Sequence, residues 1–179
     1  MEIAQEKRKS NIVEYLLYMF QVEDTIRAFK FNLHQIETHL IDPLKKTKDI
    51  RKETFNWYSN LLLMMEKEQV HSTGHVQFLR NMINDLNAFH LTILSHEIEP
   101  NYLHAFRQAS IVLNDLRTKS PMQLHDVELG LNALYGYMLL KLKKVEVSDE
   151  TTVAIKTISQ WMGTLASLYL QFERGNLEL

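Results

Sequence analysis

The chain has 179 residues, 45% of them apolar, and carries 20 Lys and Arg against 22 Asp and Glu. This length and apolar content suit one buried core, and a formal charge of -2 supplies no overall basic field for nucleic acid or anionic lipid. The absence of cysteine excludes disulfides, thiolate metal sites, iron–sulfur clusters and cysteine nucleophiles together.

With only 5 glycines and 3 prolines, turn chemistry is scarce. The chain therefore reads as long helices with few connections and no β-sheet. Residues 1–10 are mostly polar and read as a short N-terminal arm, without the apolar run and small-residue cleavage site of a secretory leader. No stretch approaches about 18 uncharged apolar residues, so no membrane span is expected. The expectation is a single helical domain over 1–179, located in the cytoplasm.

The first helical signal begins at Asn11, an N-cap residue with Glu14 three positions on. Ile12, Tyr15, Met19, Val22, Ile26, Phe29, Leu33, Ile36 and Leu40 then recur as one stripe on a helix face. Asn32 is placed to cap a second helix, so residues 11–42 read equally as one helix or as two in register, ended by Asp42-Pro43. Asp49 is the predicted cap of the next helix, whose apolar positions Phe55, Tyr58 and Leu61 to Met65 close around the circumference and predict a central element. The pattern breaks at His71-Ser72-Thr73-Gly74 and resumes with Val76, Leu79, Ile83, Leu86, His90 and Ile93 up to Glu99-Pro100.

Tyr102, Phe106, Ala109, Leu113 and Leu116 mark the following helix, which stops near Thr118-Lys119. Ser120-Pro121-Met122-Gln123 combines a serine cap, a proline at the first helical position and a glutamine at the third, and predicts the next start. That helix carries Leu124, Val127, Leu131, Leu134, Met138 and Leu142, with Lys141, Lys143 and Lys144 at the negative end of its dipole. Ser148 opens the last helix, Ala154, Ile158, Trp161, Leu165, Leu168 and Phe172 form its stripe, and Gly175 ends it. The prediction is an all-α, up-and-down bundle of about six to seven amphipathic helices.

Candidate sites each lack a partner. Glu68 and His71 form a Glu-x-x-His pair of the kind that di-iron bundles use twice, with His75 nearby, but one pair is an incomplete metal set. His90 sits on a stripe, where a buried imidazole must find a hydrogen bond and has the chemistry of an acid or base. Gln21, Glu23, Asp24 and Arg27 are the densest polar group of the first helix, and Glu23 with Arg27 has the spacing of an intrahelical ion pair. Together with His90, the cluster Glu23, Asp24 and Arg27 is the candidate lining of a small-molecule or metal pocket.

Lys45, Lys46, Lys48, Arg51 and Lys52 are the most basic window, diluted by Asp42 and Asp49 and without interleaved aromatics, so no nucleic-acid role is expected. Gly130, Gly136 and Gly163 fall inside predicted helices, where close helix approach is the usual compensation for their cost. No phosphate loop, dinucleotide fingerprint, nucleophile elbow or calcium loop occurs, and no catalytic residue or cofactor is expected.

Several strings occur in a fixed order: Ile3-Ala4-Gln5-Glu6-Lys7-Arg8-Lys9 with Asn11-Ile12-Val13-Glu14-Tyr15, then Gln21-Val22-Glu23-Asp24-Thr25-Ile26-Arg27-Ala28. Gly74-His75-Val76-Gln77, Leu116-Arg117-Thr118-Lys119-Ser120, Leu134-Tyr135-Gly136 and Leu140-Lys141-Leu142 follow. With these strings the chain resembles the Bacteroidetes group classed as domain of unknown function 4924, from Glu2 to Phe172. The resemblance implies an intracellular helical protein with no assigned activity, cofactor or catalytic residue. Surplus apolar residues such as Leu17, Phe20 and Phe31 point to protein contacts, with a homodimer or an unidentified protein as partner.

Overall fold

In the computed structural model, which describes residues 1–44, 46–120 and 123–178, the chain is built of helices, and no strand occurs among the described residues. α1 covers Glu2–Ser10, α2 Ile12–Ala28, α3 Leu33–Ile36, α4 Lys48–Lys67, α5 Gln77–His96, α6 Pro100–Lys119, α7 Asp126–Leu142 and α8 Asp149–Glu173. The predicted arm 1–10 is therefore itself a helix. Ala4 is buried, Lys7 reaches Glu14 at 2.8 Å, and Arg8 holds Glu173 at the end of α8 through two hydrogen bonds of 2.9 and 2.6 Å.

Asn11 has extended backbone, which ends α1, and its side chain accepts the N–H of Glu14 at 3.0 Å, which starts α2. The stretch 11–42 is broken rather than continuous. Lys30 and Phe31 have φ of 51° and 60°, a left-handed pair that ends α2 before Asn32 caps α3 by accepting from Gln35. A π turn over Glu37–Ile41 and a 3-10 turn over Asp42–Leu44 follow. Thr47, not Asp49, caps α4 by accepting from Ile50.

The buried apolar side chains form one cluster that draws on all eight of these helices. At its centre is α8, which packs against α2, α5, α6 and α7 and buries Trp161, Met162 and Leu165 completely. The predicted central helix, α4, lies at the edge: its main neighbours are α3 and the π turn, and Leu63 and Met64 face solvent. An apolar run of five residues turns through more than one circumference, so some of it always points away from a single packed face.

α7 begins at Asp126, later than the proline signal predicted. Pro121 and Met122 lie outside the described residues, while Gln123, Leu124 and His125 are non-helical. His125 is the cap that replaces Ser120, its Nδ1 accepting the N–H of Glu128 at 3.2 Å. Gly130 lets α7 approach α8: a Cβ there would stand 3.0 Å from the Trp161 ring and 3.4 Å from the Met162 sulfur. The same reason does not extend to Gly136 and Gly163, where a Cβ would meet no atom within 4 Å. Ser148 caps α8 as predicted, and Gly175, with φ of 71°, follows its end.

Candidate functional site

Two polar networks and one surface stand out. In the first network, α2 turns Glu23 inward without exposed surface, and its carboxylate accepts from the backbone N–H of Val76 at 2.9 Å and from His75 Nδ1 at 2.5 Å. Val76 caps α5 without a capping side chain of its own, so Glu23 supplies from another helix the acceptor and negative charge that a helix N-terminus favours. The His75 ring lies flat on Phe20 at 3.8 Å. Arg27 pairs with Asp24 at 2.8 Å instead of with Glu23, and also donates to the carbonyls of Val70 and Gly74. Asp24 accepts from the Tyr135 hydroxyl at 2.7 Å, and burial, with the Asp24 carboxylate, pushes the Tyr135 phenol up. Glu23, Asp24 and Arg27 thus fasten the α4–α5 connection to α2 and α7.

His90 belongs to a second network. Among the described residues, no hydrogen bond or ion pair joins it to Glu23, Asp24 or Arg27. His90, Tyr102 and Trp161 are all without exposed surface. The indole N–H of Trp161 only donates, so the Tyr102 oxygen accepts it at 2.9 Å. The hydroxyl proton of Tyr102 then goes to His90 Nδ1 at 2.6 Å, and this donor count assigns the imidazole proton to Nε2. Nε2 faces Asp126 Oδ2 at 3.6 Å, beyond hydrogen-bond length, while Arg117 takes the other Asp126 oxygen. The His90 imidazole and then the Arg117 guanidinium hold the Asp126 carboxyl below its usual range, against the opposing effect of burial. Burial holds the Tyr102 phenol up.

His125 is wired alike. Its Nδ1 accepts from Glu128, so its proton also sits on Nε2, 3.7 Å from the Glu128 carboxylate. Burial lowers its pKa against the pull of Glu128 and Asp126. Both rings spend their one free lone pair inside the chain, which leaves neither a ligand for a metal. The other metal candidates also have separate engagements. Glu68 accepts the N–H of Gln77 at 2.5 Å, His71 meets the Phe31 ring edge-on at 5.1 Å, and His75 is held by Glu23. No three His, Asp or Glu side chains converge on one point among the described residues.

In the basic window, Arg51 is bound by Glu37 and Asp42, each at 2.6 Å, and Lys45 lies outside the described residues.

The surface feature is α7. Its first turns bury Val127, Leu129 and Leu131, whereas Ala133 to Leu139 are only half-buried, with Ala133, Leu134 and Tyr135 against the core, and Leu140 to Leu142 are exposed, although the run Ala133-Leu134-Tyr135-Gly136-Tyr137-Met138-Leu139-Leu140 has no charge in it. Leu140 is 39% exposed and Leu142 62%. The N–H of Val145 folds back onto the carbonyl of Leu140 at 3.0 Å, which brings Val145, 46% exposed, beside them. Next to this half-helix, an open groove of about 720 Å³ runs along α8, lined by Tyr137, Thr152, Lys156, Ser159, Gly163 and Ser167. The Lys141 ammonium lies over the face of the Tyr137 ring, 5.3 Å from its centre.

The family described as "Domain of unknown function (DUF4924)" matches residues 1–176. The chain belongs to this DUF4924 family. No curated protein and no solved structure matches it. In this DUF4924 chain the partners of His90, namely Tyr102, Trp161 and Asp126, and the Tyr135 partner of Asp24 lie on other helices, where no spacing rule reaches them. The incomplete burial of the outer half of α7 had a sequence signal. α7 is apolar around its whole circumference, and such a helix buries itself fully or leaves apolar surface outside.

Proposed function

We propose that this chain is one helical domain that acts in the cytoplasm by binding protein, through the C-terminal half of α7 and the adjoining flank of α8, rather than by catalysis. One observation carries the reading: the most apolar helix leaves Ala133 to Leu139 only half-buried and brings Leu140 and Leu142 out to solvent. Isolated exposed apolar residues are ordinary, and Leu63 or Ile111 need no explanation. A contiguous apolar half-helix is different, because water contact costs about 25 cal/mol for every Å² that a partner would cover. The buried polar networks support the same reading, since their groups are engaged with one another and hold helices in place.

The test compares the native mass of the chain isolated from its own cells with that of Leu142→Glu. The unsubstituted chain is expected in a species heavier than its own 21.1 kDa. Leu142→Glu is expected to return it to the monomer while changing stability by no more than about 0.5 kcal/mol, as exposed positions do. A monomeric mass for the unsubstituted chain contradicts the proposal.

A further inference from the structure

We infer that the partner on the α7 face is a second copy of this chain, related by a two-fold axis beside Val145, between the lysine run and the acidic run; the inference rests on the protein-binding reading of that face. Charge favours a copy over a partner of one charge sign. Lys141, Lys143 and Lys144 precede the exposed Val145, and Glu146, Asp149 and Glu150 follow it. All six are exposed, and among the described residues none makes an ion pair within its own chain. A partner of one charge sign gains against one run and is repelled by the other. A copy rotated by 180° sets each lysine run against the other chain's acidic run and counts both gains twice. The apolar centre then meets itself.

This is the self-complementarity that an isologous interface requires, in which the same patch serves both subunits. Leu140, Leu142 and Val145 would form its dry centre and the charges its polar rim, the arrangement stable interfaces share. A face of about 800 Å² per subunit is the usual size, which takes in the half-helix, the 143–148 connection and the first turns of α8.

The test is equilibrium sedimentation of the purified full chain and of two triple variants, K141E/K143E/K144E and E146K/D149K/E150K. The unsubstituted chain is expected at twice 21.1 kDa, with self-association weakening as salt rises. Each triple variant alone is expected to lose at least about tenfold in self-affinity, and an equimolar mixture of the two to recover a dimer containing one of each. Melting temperatures show whether either variant has unfolded; if one has, a cysteine at position 145 that links two copies as a disulfide at two-fold geometry replaces it.

A chain that sediments as a monomer, a dimer indifferent to both charge reversals, or position-145 cysteines that stay unlinked each overturn the inference. If the purified chain is a monomer yet its complex from cells is heavier and is released by Leu142→Glu, the second copy is wrong and the protein-binding face stands. A monomer in both settings removes both.

Discussion

Replacing Tyr102 with Phe takes away one oxygen atom from the centre of the fold, and its cost follows from two hydrogen bonds. The hydroxyl accepts from Trp161 at 2.9 Å and donates to His90 at 2.6 Å, among three side chains with no exposed surface. The ring of Phe fills the same space, so no large cavity forms, but the indole N–H and the imidazole Nδ1 are both left without a partner. A buried polar group without its partner costs about 1–3 kcal/mol, which gives about 2–5 kcal/mol for the pair. In a chain of this size that is a fall in melting temperature of about 5–15 °C. Thermal unfolding by circular dichroism measures it. His90→Leu placed in the Tyr102→Phe background is expected to recover part of the loss, because one of the two orphaned groups is then removed. A Tyr102→Phe protein that melts within about 1 °C of the parent would refute the wiring of this network.

Gly130→Ala is expected to destabilise by about 1–3 kcal/mol, because its methyl group presses on Trp161 and Met162. Gly136→Ala and Gly163→Ala, where there is open space, are expected to stabilise by about 0.5–1 kcal/mol; denaturant titration separates the signs. Glu23→Leu strips the first turn of α5 of its acceptor, and faster amide hydrogen exchange at Val76 with a loss of about 2–4 kcal/mol is expected; unchanged exchange there contradicts the capping role. The Asp126 pKa is depressed in the folded chain, so its contribution is complete above the unfolded value near 4 and is lost as pH falls through the lower folded value. Asp126→Asn is therefore expected to flatten the stability profile over that acidic range, and parallel profiles for the two proteins would show that Asp126 contributes nothing to it.

The helices were legible because their signals are local. A stripe at helical spacing, the Asn11 and Ser148 caps and the Gly175 stop each involve residues within a few positions of one another, and the structure places those elements accordingly. The arm 1–10 was not, because what folds it against the bundle is Arg8 meeting Glu173 from the far end of the chain. The same limit governs the polar groups. Glu23 and Arg27 have the spacing of a pair, but the chain gives Glu23 a backbone N–H 53 positions away and Arg27 a nearer acid, Asp24. The start of α7 was misplaced for a related reason: His125 takes the Glu128 N–H while Asp126 is held by Arg117 of α6, contacts that a proline signal does not encode.

His90 shows how far periodicity carries. Its stripe position puts it in the core, where it must be hydrogen-bonded, but Tyr102, Trp161 and Asp126 are fixed only once α5, α6, α7 and α8 are packed. Read the other way, the outer half of α7 breaks the agreement between composition and burial. Val127, Leu129 and Leu131 obey it, and Leu140, Leu142 and Val145 do not. Departures of this kind mark places where a sequence serves something besides its own fold.

The most direct measurement is a photo-crosslinking scan in living cells, with a photoreactive residue placed in turn at positions 140, 142 and 145 on the α7 face and at the exposed apolar positions 63 and 64 on α4. Discrete crosslinked protein bands are expected from 140, 142 and 145 and none above background from 63 and 64. Equal labelling at both places, or no crosslink from the α7 positions, would contradict the claim that the outer half of α7 is a protein-binding face.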